Sequence, residues 1–128
     1  MEKFESRTLP EKPDEKAPDG SDVRVLIRNR RGSMAHFSLH PGEVSLAVTH
    51  RTVEELWYIL SGEGEMWRKQ GEEEEITRLL PGTALSIPLG TSFQFRSTGE
   101  GALEAVAVTM PPWPDGEEAI PVQGYWRS

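Results

Sequence analysis

The chain has 128 residues, a formal net charge of −7, a pI near 5.0 and no cysteine. Its length suits one domain, its acidic balance argues against nucleic acid or an anionic membrane as a partner, and the lack of cysteine excludes disulfides and thiolate chemistry. No apolar run approaches the roughly 20 residues of a membrane span, and the opening stretch MEKFESRTLPEK lacks the apolar region of a signal peptide. We therefore expect a cytoplasmic protein.

Residues 1–21 are predicted to form a flexible or extended N-terminal arm. The stretch MEKFESRTLPEKPDEKAPDG is rich in Lys, Glu, Pro and Asp and almost free of apolar residues. A segment of this composition cannot bury enough apolar surface to build a core of its own.

Residues 22–110 read as short alternating or apolar runs that are separated by Gly and Pro. Nine runs predict strands, at residues 23–27, 34–39, 44–48, 55–60, 64–68, 75–80, 83–88, 92–97 and 103–110. The runs recur about every ten residues and none has a helical period, which is typical of an all-β sandwich or barrel.

Residues 111–128 form a tail with too many prolines to join the interior of a sheet. Trp113, Tyr125 and Trp126 are large apolar anchors within it. We expect an ordered tail that is packed on the barrel or in a subunit contact.

Two stretches of the barrel carry a family resemblance. PGEVSLAVTHRTVEELWYILSGEGEMW resembles the first motif of the cupin superfamily, G-x5-H-x-H-x(3,4)-E-x6-G, and PGTALSIPLGTSFQFRSTG resembles the second, G-x5-P-x-G-x2-H-x3-N. The turn-forming positions Gly42, Gly62, Gly82, Pro88 and Gly90 all fall in register. The resemblance implies a small double-stranded β-helix, or jelly-roll-like barrel, which is commonly dimeric and has its site inside the barrel mouth.

The positions that carry chemistry in the family match less well. Cupins that bind Fe, Mn, Ni or Zn usually hold the metal with three histidines and one glutamate. In this sequence those positions fall on Val48, His50, Glu55 and Phe93, and the asparagine of the second motif falls on Ser97. Two of the four ligands are therefore kept, and two protein ligands bind a divalent ion weakly.

A third ligand would have to come from outside the two motifs. His36, one strand earlier, is the first candidate, and Glu54 is turned to the opposite face by strand alternation. The sequence leaves three interpretations of His50 and Glu55: a hydrogen-bonded polar pair without chemistry, a metal site that His36 completes, or a metal-free acid/base or ligand-binding pair.

Strand alternation also predicts which side chains face the barrel interior. The predicted lining of the cavity consists of Val48, His50, Glu55, Trp57, Met66, Arg68, Phe93 and Phe95. Such an aromatic pocket with a few polar groups is the usual composition of a small-molecule site. The alternative is that the same side chains fill the core of a small barrel.

Two functions follow as hypotheses. The first is a cupin enzyme acting on a small organic molecule, with His50 and Glu55 as metal ligands or as a metal-free acid/base pair. The second is a non-catalytic binding or accessory module, which the apolar Val48 and Phe93 favour. A homodimer is expected from the family resemblance and from the apolar outward face of the strands.

Overall fold

Short β-strands account for all the regular secondary structure in this computed structural model, which describes residues 1–114 and 117–128. The strands of the described residues are β1 (Glu15–Lys16), β2 (Asp22–Arg28), β3 (Ser33–Leu39), β4 (Val48–His50), β5 (Glu54–Ser61), β6 (Gly64–Gln70), β7 (Glu73–Leu79), β8 (Ala84–Ile87), β9 (Ser92–Ser97), β10 (Leu103–Met110) and β11 (Ala119–Pro121). None of these residues belongs to a helix that is long and apolar enough to cross a membrane.

The strands form two antiparallel sheets. One has six strands in the order β1-β2-β3-β10-β5-β8, and the other has five in the order β11-β4-β9-β6-β7. Strands that neighbour each other in a sheet are often distant in the chain, as for β3, β10 and β5. This arrangement confirms the predicted all-β, double-sheeted barrel.

The core lies between the two sheets, and alternate residues of strands such as β5 and β10 fill it. On β5, Glu55, Trp57 and Ile59 are buried, and the residues between them are exposed. From the facing sheet, Met66 and Phe95 contribute side chains that are almost completely buried. Each large apolar side chain buried in this way contributes roughly 1.5–3 kcal/mol to stability.

One predicted strand is displaced. Residues 44–48 were expected to pair throughout, but β4 covers Val48–His50 and only an isolated bridge joins Val44 to Arg96. The reason is that the Ser45 hydroxyl accepts the N–H of Phe95 at 3.0 Å. A side chain therefore takes the place of a backbone partner, and the ladder is interrupted before residue 48.

The end of the N-terminal segment lies against the barrel. Residues 15 and 16 pair with β2, and the N–H of Leu46 donates to the carbonyl of Asp19 at 2.7 Å. Asp19 and Ser21 are buried, whereas residues 1–9 are exposed. Residues 17–19 therefore form part of the wall around the barrel interior.

The C-terminal tail is anchored on the five-stranded sheet. Its strand β11 pairs with β4 at the edge of the sheet. A proline is tolerated there, because an edge strand has one side without a neighbouring strand to which it must donate. Further on, the buried amide of Gln94 accepts the N–H groups of Tyr125 and Trp126 at 2.9 Å and donates to the carbonyl of Trp126 at 2.9 Å. The Trp126 ring lies 4.4 Å from the guanidinium carbon of Arg96, a cation–π contact.

Candidate functional site

A cavity of about 210 Å³ opens between the two sheets at the end where β2 and β3 face β4 and β9. Four aromatic rings contribute to its wall, those of Phe37, Trp57, Phe93 and Trp113. Phe37 stacks on Trp57 with the ring centroids 5.3 Å apart. The wall is therefore predominantly apolar, as expected of a small-molecule site.

Five of the residues predicted to line the cavity lie in its wall: Val48, His50, Glu55, Trp57 and Phe93. Met66 and Phe95, which were also expected there, instead fill the core beneath it. They are paired across β6 and β9 and have exposed fractions of 0% and 1%. Both interpretations of the barrel interior thus apply, at different depths.

Arg68 was predicted to line the same cavity, and its position is a correction. Its guanidinium donates to the carbonyl of Ser86 at 2.8 Å and to the Thr77 hydroxyl at 2.8 Å. Arg68 lies on β6 two residues beyond Met66, and these bonds direct it to β7 and β8 at the far edge of the barrel. It therefore takes no part in the wall of the cavity.

His50 and Glu55 meet at the wall of the cavity. Nδ1 of His50 lies 3.0 Å from Oε2 of Glu55, and Trp57 Nε1–H donates to the other carboxyl oxygen at 3.1 Å. The distance between His50 and Glu55 is short enough for a hydrogen bond, but its angle is poor, so Nδ1 has no well-aligned partner among the described residues. Since the Glu55 carboxyl lies against Nδ1, Nε2 is the ring nitrogen left for a bound molecule.

A carboxylate holds the turn between these two residues. Glu118 accepts the N–H of Thr52 at 2.7 Å and the more distant N–H of Val53 at 3.3 Å. The turn at residues 51–53 joins β4 to β5, so its geometry sets how the His50 and Glu55 side chains approach each other. Burial of Glu118 opposes its ionisation, but these hydrogen bonds outweigh that effect and lower its pKa.

Burial moves the pKa values of the pair in opposite directions. It raises the pKa of Glu55 to about 8, against the hydrogen bond from Trp57, and it lowers the pKa of His50 to about 4. In each residue the charged form is disfavoured because the site is shielded from water. Near pH 7 both groups are therefore neutral, and the pair holds its proton on Glu55.

The ring of His50 is fixed from two sides by aromatic residues. Phe93 and Trp113 meet it edge-on, with centroid distances of 5.3 Å and 5.1 Å. The backbone of Trp113 is itself held because its main-chain N–H donates to the Ser33 hydroxyl at 2.9 Å. The imidazole thus has a defined orientation without a metal ion.

His36 does not join this pair. It lies on the face of β3 opposite Ala35 and Phe37, both of which line the cavity. There its Nε2 lies 3.1 Å from Oε1 of Glu104. The interpretation in which His36 completes a metal site is therefore not supported by its position.

The residues present do not fit the four-ligand metal site that the family resemblance implies. Val48 and Phe93 occupy two ligand positions with side chains that cannot donate to a metal, and His36 points elsewhere. Across residues 1–114 and 117–128, no three His, Asp or Glu side chains are grouped so that they could hold an ion.

Among the wall residues that the sequence analysis missed, Asp19 and Trp113 bear most on the chemistry of the cavity. Asp19 was assigned to the N-terminal arm, and Trp113 was treated only as an anchor of the tail. Asp19 carried one local signal, since Asp followed by Gly and Ser is typical of a turn in which the side chain bonds to the backbone. No local pattern places Trp113 against His50, because that contact depends on how the tail returns to the barrel.

The comparisons with known proteins agree on the fold. A family model described as a cupin domain matches residues 35–109. A crystal structure of the protein BH2720 from Bacillus halodurans is 21% identical, with a TM-score of 0.66, and the match covers 72% of this chain and 71% of that one. KdgF from Halomonas sp. is 17% identical, with a TM-score of 0.64, and the match covers 77% and 85% of the two chains.

A third solved structure is larger than this chain. The capsular polysaccharide assembling protein CapF from Staphylococcus aureus is 16% identical, with a TM-score of 0.72, and the match covers 84% of this chain but 33% of CapF. At these identities the similarity concerns the fold alone. No curated protein shows significant similarity to the chain.

Proposed function

Because the chain belongs to the cupin domain family, whose model matches residues 35–109, we propose that its cavity binds a small organic molecule. The observation that carries this proposal is the combination of an aromatic wall with one buried polar pair, His50 and Glu55, at a distance of 3.0 Å. The aromatic rings would bury the body of the molecule, and the polar pair would fix its orientation. The volume of about 210 Å³ restricts the ligand to a small molecule.

Filling the cavity should abolish this binding. Ala35 lines the cavity from β3, so Ala35→Phe places a ring in the space that the ligand would occupy. We expect loss of binding for 2-phenylethanol, 2-phenylethylamine or phenylacetate, whichever the wild-type protein binds, as measured by saturation-transfer NMR. Ile76→Phe, at an exposed position on β7, adds a ring outside the cavity and should leave binding unchanged. Equal binding by both variants would contradict the proposal.

Proton transfer is a second candidate function, which the short distance of 3.0 Å between Glu55 Oε2 and His50 Nδ1 favours. Glu55 can give its proton to Nδ1 of His50 while Nε2–H of the same ring gives a proton to the bound molecule. Glu55 then becomes a carboxylate, the imidazole stays neutral, and the molecule gains one proton. Such a relay needs no metal. It requires only that Glu55 lies against Nδ1, so that Nε2 is presented to the bound molecule.

A second copy of the chain is the protein partner that we propose. Leu56, Tyr58 and Leu60 project from β5 on the face opposite the core and are exposed. Val106 and Val108 of the neighbouring β10 extend this apolar strip. A strip of this kind suits a two-fold interface, in which the same surface of each copy meets its equivalent.

A charge in the middle of that strip should separate the copies. We expect Tyr58→Lys to weaken self-association by about tenfold or more, because the lysine would be buried against apolar side chains. Light scattering coupled to size-exclusion chromatography at several protein concentrations measures the change. Ile76→Lys, on the other sheet, serves as the control. A wild-type protein that is monomeric at all concentrations would rule out the dimer.

A further inference from the structure

Resting on the proposed small-molecule function, we infer that the bound molecule carries an amine, held as an ammonium group between Asp19 and the His50–Glu55 pair. Two carboxyl groups from distant parts of the chain, those of Asp19 and Glu55, lie in the wall of the cavity together with aromatic rings. Nothing in the two cupin-like motifs points to Asp19, which precedes both of them.

Two hydrogen bonds fix the orientation of the Asp19 carboxyl group. Its Oδ1 accepts the backbone N–H of Ser21 at 2.9 Å and the Ser21 hydroxyl at 2.6 Å. These two bonds leave Oδ2 as the oxygen free to serve a ligand. Asp19 has an exposed fraction of 6% and still lines the cavity, so the surface that it retains faces the cavity.

His50 adds a second polar group to the wall. It has an exposed fraction of 8%, and its Nδ1 lies against the Glu55 carboxyl at 3.0 Å, which leaves Nε2 as the ring nitrogen that can meet a ligand. A molecule that bonds to both Nε2 and the Asp19 carboxyl would complete the hydrogen bonding of these buried polar groups. Trp57, Phe93 and Trp113 add aromatic rings, and the face of such a ring attracts an ammonium group but not a carboxylate.

The charges around the site favour a cation. Three carboxyl groups lie at or near the cavity, those of Asp19, Glu55 and Glu118. The negative charges of Asp19 and Glu118 raise the pKa of Glu55 further. Burial, partly offset by its bonds to Ser21, raises the pKa of Asp19 as well. Arg28 is the cationic residue in the wall, and it is exposed at the mouth. A bound cation would relieve the cost of ionising Asp19 and Glu55, whereas an anion would increase it.

This coupling gives a measurable signature. Near pH 7 an amine in solution is already protonated, and Glu55 in the empty cavity also holds a proton. Binding of the ammonium group stabilises the Glu55 carboxylate, so about one proton should be released per molecule bound. A neutral ligand of the same shape should release essentially none.

The experiment compares three probes of one shape: 2-phenylethylamine, 2-phenylethanol and phenylacetate. Isothermal titration calorimetry at pH 7, in two buffers of different ionisation enthalpy, gives both the affinity and the number of protons released. We expect the amine to bind at least tenfold more tightly than the alcohol and the acid, with proton release for the amine alone. Asp19→Asn should reduce that preference about tenfold, and Glu54→Gln, which removes an exposed charge beside Glu55, should not.

The possible results are distinct. If the alcohol or the acid binds as well as the amine and is displaced in Ala35→Phe, the amine inference is overturned but the small-molecule proposal stands. If the wild-type protein binds none of the three more tightly than Ala35→Phe does, both fail. Proton release is measured on the wild-type protein, so amine binding without it overturns the inference even where Asp19→Asn does not fold.

Discussion

Replacement of Trp57 by alanine is expected to lower the free energy of unfolding by about 3–5 kcal/mol. Trp57 has an exposed fraction of 3%, stacks on Phe37 and meets Phe95 edge-on with centroids 5.0 Å apart. Its indole N–H is also a hydrogen-bond donor to the buried Glu55. The substitution thus removes apolar contacts and leaves a buried carboxyl oxygen without its donor. Urea unfolding followed by circular dichroism measures the loss.

The matched control is the preceding residue. Leu56 lies on the same strand with its side chain on the outer face, where it is exposed. Leu56→Ala should therefore change the stability of the monomer by less than about 1 kcal/mol, provided that both proteins are compared at a concentration where no dimer forms. If Trp57→Ala were as stable as Leu56→Ala, the aromatic wall of the cavity would not be packed as described.

The fold was predictable from the sequence because turns and strand faces are local properties. Gly62 illustrates this, since its φ of +83° lies in the region that other residues rarely adopt, and a Cβ there would come within 2.4 Å of the carbonyl oxygen of Ala102. Only glycine satisfies both constraints, so its place in the motif carries structural information. Alternation along β5 likewise predicted that Glu55 points inward and Glu54 outward.

Depth along the barrel was not predictable in the same way. Alternation identifies the inward face of a strand, but it does not distinguish a residue at the mouth from one in the middle. Phe93 and Phe95 share one face of β9, yet Phe93 lines the cavity and Phe95 is covered by Trp57. That difference depends on which residues of the opposite sheet face each position. The sequence of one strand does not reveal which residues those are.

The site also draws on residues outside the motifs. Asp19 and Trp113 come from segments that precede and follow the strands matched by the family model. Both reach the cavity through long-range contacts, Asp19 through Leu46 and Trp113 through Ser33. A prediction based on the two motifs alone therefore omits the carboxyl group of Asp19 from the wall of the cavity.

Stability of the wild-type protein is expected to fall between pH 6.5 and pH 8, by about 2 kcal/mol. The pKa of Glu55 is raised from 4.5 to about 8 on folding, so between these values the folded chain binds more protons than the unfolded chain. Its stabilising contribution is complete below pH 4.5 and is lost as the pH rises through 8. Asp19, whose pKa is also raised by burial, acts in the same direction.

The histidines oppose this trend only at lower pH. Burial lowers the pKa of His50 from 6.5 to about 4 and also lowers the pKa of His36. The contribution of His50 is therefore complete above pH 6.5 and is lost as the pH falls toward 4, and that of His36 is also lost as the pH falls. The two effects partly cancel between pH 4.5 and 6.5, which leaves the interval from 6.5 to 8 as the one in which the buried carboxyls dominate.

Glu55→Gln should remove most of that decline, because a glutamine has the shape of the protonated acid and cannot ionise. Its carbonyl oxygen can accept the indole N–H of Trp57, and its amide can donate to Nδ1 of His50. The free energy of unfolding of the variant should lie within about 1 kcal/mol of the wild-type value at pH 6.5 and should exceed the wild-type value at pH 8 and above.

Urea unfolding at half-unit intervals from pH 6 to 9 tests this expectation. Glu54→Gln is the control, since its free energy of unfolding should change with pH as that of the wild-type protein does. Parallel curves for the wild-type protein and Glu55→Gln would mean that Glu55 is already ionised in the folded chain, and the neutral pair at the cavity wall would have to be abandoned.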